Sequence, residues 1–234
     1  MVRTPSGEWR NLHGRRRGKA LKPAQKQALA DLPGLALHGV RPDENPGRVP
    51  LDLAGLAAGR AVWLEIGFGG GEHLVHQAAR HPEVLMLGCE PFVNGVAKLL
   101  VALRAAAVDN VRLHPGDVRE LFDVLPPAGL ERVFLLYPDP WPKTRHHARR
   151  FVTPQYLEPL ARAMAPGAIL RIATDIPDYV RQTDAEVPRA GFDDLRPAPE
   201  ARARPWDDWL PTRYERKALR EGRVPAYLEF RRHA

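Results

Sequence analysis

From residue 61 onward, short apolar runs alternate with longer amphipathic stretches. AVWLEI (61–66) is an apolar run that closes on a cluster of glycines, and GEHLVHQAAR after it carries helical spacing. EVLMLGCE (83–90) predicts a second strand, with a helix over 92–107. NVRLHPGD then predicts a third strand, VRELFDVL a helix, ERVFLLY a fourth strand, TPQYLEPLARAM a helix and GAILRIAT a fifth strand. A helix is predicted near 176–189, a polar segment with a helical second half over 202–222, and a strand of alternating pattern in VPAYLEFRR. Near-continuous apolar strands separated by amphipathic helices predict a parallel sheet covered on both faces, an α/β doubly wound domain. Ahead of it, residues 1–35 predict an irregular or partly helical arm, and RPDENPGRVP (41–50) a proline-rich connector. The chain is expected to divide into a basic arm and linker, 1–50, and one domain, 51–234.

Composition narrows the setting. With 44% hydrophobic residues in 234, the chain can bury a proper core. Its one cysteine, Cys89, has no partner for an internal disulfide, and no Cys/His set has zinc-ligand spacing, so no metal and a reducing, cytoplasmic setting are expected. No stretch approaches the roughly 18 to 20 apolar residues of a membrane span, and no apolar signal-peptide core opens the chain. The net charge is +7, and the first thirty residues carry eight Lys/Arg against the single acid Glu8, so the whole excess lies in the arm. Cations concentrated there suit a polyanion, because each one near a phosphate releases counterions. Nucleic acid is the expected partner, against the plainer reading of an arginine-favouring chain with a solvated tail. Monomer and homodimer are both compatible with the sequence.

In doubly wound folds ligands bind beyond the carboxyl ends of the strands. There the five strands end in Glu65 with Gly67, Gly69, Gly70 and Gly71, then Glu90, Asp117, Asp139 and Asp175. The glycine turn alone also suits a dinucleotide or a plain tight turn. A pyrophosphate, however, favours few negative charges around it. Carboxylates at every strand end suit a cofactor that carries positive charge and no phosphate, which describes S-adenosylmethionine. Glu65 would lie near its amino-acid and sulfonium end, Glu90 would accept from its ribose hydroxyls, and Asp117 would sit near the adenine amino group. Each acid taken singly also reads as a helix cap, Asp117 in HPGDV above all.

YPDPWPKTRHHARR (137–150) brings a stiff acidic loop and a basic run to the end of the fourth strand. Pro138, Pro140 and Pro142 remove backbone freedom around Asp139. Trp141 offers an aromatic face, and Lys143, Arg145, Arg149 and Arg150 offer charge, a mix suited to a flipped base and its phosphates. The alternative makes Trp141 a core anchor and the basic residues a solvated face.

LEIGFGGGEHL, CEP, YPDPWPKTRHHARR, IATD and TRYERKALREG, in this order across residues 60–230, resemble the motifs of the bacterial tRNA (guanine-N7)-methyltransferases. The resemblance implies a Rossmann-like class I methyltransferase fold, a mostly parallel doubly wound sheet with an antiparallel C-terminal strand. It implies S-adenosylmethionine as cofactor, tRNA as substrate and 7-methylguanosine as product, formed from the guanosine at position 46 of the variable loop. Glu65, Gly67, Gly69, Glu90, Asp117 and Asp139 then match cofactor contacts, with Asp139 also at the catalytic position. Lys143, Asp175, Thr212, Arg213, Tyr214 and Glu215 match substrate contacts. Arg145, His146, His147, Arg149 and Arg150 match the RNA-binding segment, to which the charge of the arm adds Arg15, Arg16 and Arg17. Thr144 stands where a second basic residue is common, TRYE replaces TKFE, and the arm matches only loosely.

Guanine N7 carries a lone pair and no proton, so methyl transfer to it needs placement rather than a general base. The purine gains positive charge as the methyl arrives, and Asp139 is expected to stabilise it. Asp175 and Glu215 are expected to accept from guanine N1 and N2. His73, His76, His146 and His147 are not needed as bases, and the first two read as helix surface residues. Trp206 and Trp209 read equally as packing or as a lid. The rivals are a class I methyltransferase for another RNA, a protein or a small molecule, a nucleotide-dependent oxidoreductase, and a non-catalytic RNA-binding module.

Overall fold

The computed structural model describes Gly14 and residues 16–234. Helices α1 (Pro23–Ala28), α2 (Leu32–Leu35) and α3 (Leu53–Ala57) precede strand β1 (Ala61–Ile66). The chain then alternates through α4 (Glu72–Arg80), β2 (Val84–Cys89), α5 (Val93–Ala106), β3 (Val111–His114), α6 (Val118–Phe122) and β4 (Leu130–Leu136). A 3-10 turn over Thr144–Arg149 leads to α7 (Pro154–Ala163), β5 (Met164–Thr174) and α8 (Pro177–Glu186). Strand β6 (Phe192–Asp194), α9 (Pro199–Arg202), α10 (Arg213–Arg220) and β7 (Ala226–Arg232) close the chain.

The sheet order is β3-β2-β1-β4-β5-β7-β6. Strands β1 to β5 are parallel, and β7 runs antiparallel to both β5 and β6. All six residues of β2 are buried, as a strand covered on both faces requires. Successive side chains fall on opposite faces, so Leu64, Leu87 and Leu135 join one core layer while Trp63, Met86 and Phe134 join the other. The strand order reverses between β1 and β4, and the crevice beyond that point is where such folds hold ligands.

Two features differ from the sequence reading. Strand β6 was not expected, and the helix near 176–189 ends at Glu186, where Pro188 opens a separate 3-10 turn. The described part of the arm packs on the domain. Arg16 O accepts from Val93 N at 3.0 Å, and the Asn94 amide holds Gly18 N and Lys19 O, each at 2.7 Å. Asp31 is ion-paired with Arg104, Ala28 is buried, and Leu37 N donates to Leu113 O at the edge of β3. Arg16 and Arg17 remain exposed, whereas Arg15 lies outside the described residues. Among the described residues no helix is long and apolar enough to cross a membrane.

Candidate active site

A cavity of about 400 Å³ opens at the reversal point, within the size range of small-molecule sites. Gly67, Gly69, Glu90, Asp117, Asp139 and Tyr214 all line it. The glycine turn fits because two of its residues take left-handed backbone, Gly67 at φ 70° and Gly69 at φ 56°. Helix α5 comes so close that a Cβ on Gly95 would sit 2.1 Å from Gly69 O. One carboxylate ties the two segments together: Glu90 Oε2 accepts from Gly69 N at 2.7 Å and its Oε1 from Phe92 N at 2.9 Å. Burial raises the Glu90 pKa, and the charges of Asp139 and Glu65 push the same way against those two backbone donors.

Asp117 is both a cap and a lining residue. It accepts from Arg119 N at 3.0 Å at the start of α6 and is ion-paired with the buried Arg119 guanidinium. That arginine and Tyr156 line the cavity and were not foreseen. Asp139 stands on the rim, where loss of water raises its pKa. Among the described residues neither Glu90 nor Asp139 has an ion-pair partner. The loop that carries Asp139 is bounded by two non-glycine residues in left-handed backbone, Tyr137 (φ 50°) and Trp141 (φ 40°), conformations that persist only when surrounding structure imposes them. The Arg149 guanidinium lies 5.0 Å above the Trp141 ring and His146 packs edge-on to it at 5.9 Å.

Several expected site residues have other duties. Glu65 does not line the cavity; it is buried, with Oε2 2.7 Å from Nδ1 of His73. His73 is therefore not on the surface, and His76 is half-buried with a ring nitrogen 3.2 Å from Asp208 O. The reason is the inward stripe of α4, in which 73, 74, 77 and 78 all face the sheet. Replacing His73 by Leu strands the Glu65 carboxylate in the core, with an expected loss of roughly 3 kcal/mol of stability, measurable by urea unfolding. An unchanged unfolding midpoint would mean that the pair contributes nothing.

Thr212 caps α10 by accepting from Glu215 N at 3.2 Å. The Glu215 carboxylate, buried, accepts from Trp209 Nε1 and Tyr227 OH, each at 2.7 Å. Asp175 is ion-paired with Arg223, and Arg213 with Glu72. Of the TRYE stretch only Tyr214 reaches the cavity, lying against Gly69. Trp206 and Trp209 pack with Tyr227 in a three-ring cluster, which favours the packing reading. Lys143 and Arg145 are exposed, and His147 approaches Asp178 at 3.4 Å. Arg150, expected on RNA, is 1% exposed. Among the described residues no cluster of three His, Cys, Asp or Glu could hold a metal ion.

Comparison with known proteins agrees with this geometry. A family model described as "Putative methyltransferase" matches residues 59–227. The tRNA (guanine-N(7)-)-methyltransferase of Cereibacter sphaeroides is 64% identical over 96% of this chain and 92% of its own. That of Paracoccus denitrificans is 59% identical over 98% of each chain. Among solved structures, a 16S rRNA (adenine(1408)-N(1))-methyltransferase with cosubstrate SAM from Catenulisporales acidiphilia superposes with TM-score 0.56 at 20% identity, over 78% of this chain and 91% of that one. The 16S rRNA methyltransferase KamB gives TM-score 0.55 at 17% identity, over 79% and 95%. At these identities the two structures show a shared fold alone. The full-length identities are more specific, and by them the chain belongs to the tRNA (guanine-N(7)-)-methyltransferase family.

Proposed function

We propose that the protein transfers a methyl group from S-adenosylmethionine to N7 of a guanine in the variable loop of tRNA, in the cytoplasm. The observation that carries this reading is the pair Glu90 and Asp139, two carboxylates on one cavity at the switch point that have no ion-pair partner among the described residues. Phosphate would be repelled there; a cationic, phosphate-free cofactor is not. The residues present fit S-adenosylmethionine: Glu90 for ribose hydroxyls, Asp117 beside the adenine, and the glycine turn with Gly67 and Gly69 under the amino-acid portion. When bound, it supplies an electrophilic methyl on a sulfonium centre.

Glu65 acts behind the wall, by holding His73 and the base of the turn. Asp139 stabilises the charge that grows on the purine, and the stiff proline loop keeps it in place. Trp141 and Tyr214 offer ring faces to the extruded base, while the carboxylates of Asp175 and Glu215 hold the surrounding segments together. Lys143, Arg145, Arg149, Arg16 and Arg17 are the cations for the RNA backbone. Replacing Arg145 and Arg149 together by Ala is expected to weaken tRNA binding and flatten its salt slope by roughly 2, one for each phosphate contact. An unchanged slope would remove both from the interface.

The reading is tested by incubating the protein with methyl-labelled S-adenosylmethionine and unmodified tRNA, followed by nucleoside analysis. Label in 7-methylguanosine supports it. Cofactor binding with no label in tRNA would point to another RNA, a protein or a small molecule as substrate.

A further inference from the structure

Arg150 ends the basic run, yet its side chain is turned into the protein. Its Nε donates to Pro140 O at 2.7 Å and its Nη1 to Gln182 Oε1 at 2.8 Å, and its Nη2 is ion-paired with Asp178 Oδ2 at 2.7 Å. The guanidinium carbon lies 5.4 Å from the centre of the Tyr179 ring. Three of these four partners, Asp178, Tyr179 and Gln182, belong to one turn of α8, which also fixes the next residues of the chain: Gln182 Nε2 donates to Val152 O at 2.6 Å, and Val152 N donates to Tyr179 OH at 3.4 Å. The fourth partner is the carbonyl between Asp139 and Trp141.

That carbonyl matters because of what surrounds it. Pro138, Pro140 and Pro142 have no N–H, so the loop has few donors with which to fix itself. Trp141 nonetheless holds a left-handed φ of 40°, a strained state that relaxes unless something imposes it. A cation at 1% exposure cannot touch an RNA phosphate without the loop opening. We propose that Arg150 is a positioning residue for methyl transfer: from its seat on α8 it grips the Pro140 carbonyl and thereby sets the position of the Asp139 carboxylate and the Trp141 ring at the cavity. Sequence alone could not separate it from Arg149, which turns outward to Trp141. The inference rests on the proposed reaction and adds a residue that touches neither RNA nor cofactor.

The test uses the full chain with Arg150→Ala and Asp178→Asn, the second leaving the Arg150 bond to Pro140 intact but loosening its seat. For Arg150→Ala the rate of transfer at saturating tRNA and cofactor is expected to fall on the order of 100-fold, the effect of displacing a reacting group by about 1 Å, with tRNA affinity and salt slope unchanged. Guanidinium ion, added below denaturing concentration, is expected to restore part of that rate. Asp178→Asn is expected to show a smaller loss of the same kind, and keeps the test open if Arg150→Ala does not fold. Amide exchange at Trp141 and the residues after it is expected to quicken in both variants, a readout that needs no substrate. Lost tRNA affinity with the saturated rate retained would make Arg150 an RNA ligand and overturn the proposal, as would unchanged rates and unchanged exchange. If the unaltered protein makes no 7-methylguanosine, the reaction is misassigned, and the exchange result alone then decides whether Arg150 holds the loop.

Discussion

Asp139→Asn is expected to lower the rate of methyl transfer at saturating tRNA and cofactor by about 100- to 1,000-fold, as loss of one preorganised electrostatic contact does. Binding of tRNA should be unchanged, because the phosphates are held by other side chains. Asparagine matches aspartate in shape, so the proline loop and its grip on α8 persist while the charge is lost. The titration of Asp139 gives a second signature. Partial loss of water at the cavity rim disfavours its charged form and raises its pKa, and the charged form is the one that stabilises the methylated purine. The rate of the unaltered protein should therefore fall on the acid side at a higher pH than an ordinary carboxylate would give, and the variant should lack that limb. Stability moves the other way. A carboxylate whose pKa is higher folded than unfolded weakens the fold at neutral pH, and this penalty fades as pH falls through the raised value. Asp139→Asn should thus be neutral or slightly stabilising at neutral pH, which separates loss of chemistry from loss of fold.

Glu90→Ala is expected to weaken S-adenosylmethionine on the order of 100-fold, about 2.7 kcal/mol, the worth of one or two hydrogen bonds to a charged acceptor. The same change leaves Gly69 N and Phe92 N without their acceptor, at about 1–3 kcal/mol each where buried. The glycine turn would then come loose from α5, and the melting temperature of the free protein should fall. Glu90→Gln should be intermediate, since its amide oxygen can still accept from one backbone donor while its NH2 meets the other. Titration calorimetry on the three proteins checks this order. Equal cofactor affinity in all three would remove Glu90 from the cofactor site.

The parallel strands were legible because each is an apolar run bounded by a turn, and β2 is buried at every position. The carboxylates at their ends could be located by the same reading, and Glu90, Asp117 and Asp139 do line the cavity. Where the reading failed, tertiary contacts decided. Two further signals were present but unused: His73 lies on the same helical stripe as Leu74 and Ala78, and Thr212 with Glu215 is the Thr-x-x-Glu spacing of a helix N-terminus. Strand β6 has three residues, too few for an alternating pattern to register. No local pattern could show that Arg150 faces inward, because Gln182 lies 32 residues further along. The packing of the arm was not legible in its own residues, because its anchors, Asn94, Arg104 and Leu113, belong to the domain.

The central claim concerns one atom of the substrate, and a change at that atom tests it most directly. Two tRNA transcripts would be compared in single-turnover methyl transfer, one with guanosine and one with 7-deazaguanosine at the target position of the variable loop. The deaza base keeps its Watson–Crick edge and its ring faces but has a carbon where N7 was. Equal binding of both RNAs with methyl transfer only to the first is the result predicted. Label accumulating in the 7-deaza transcript at a similar rate would contradict it.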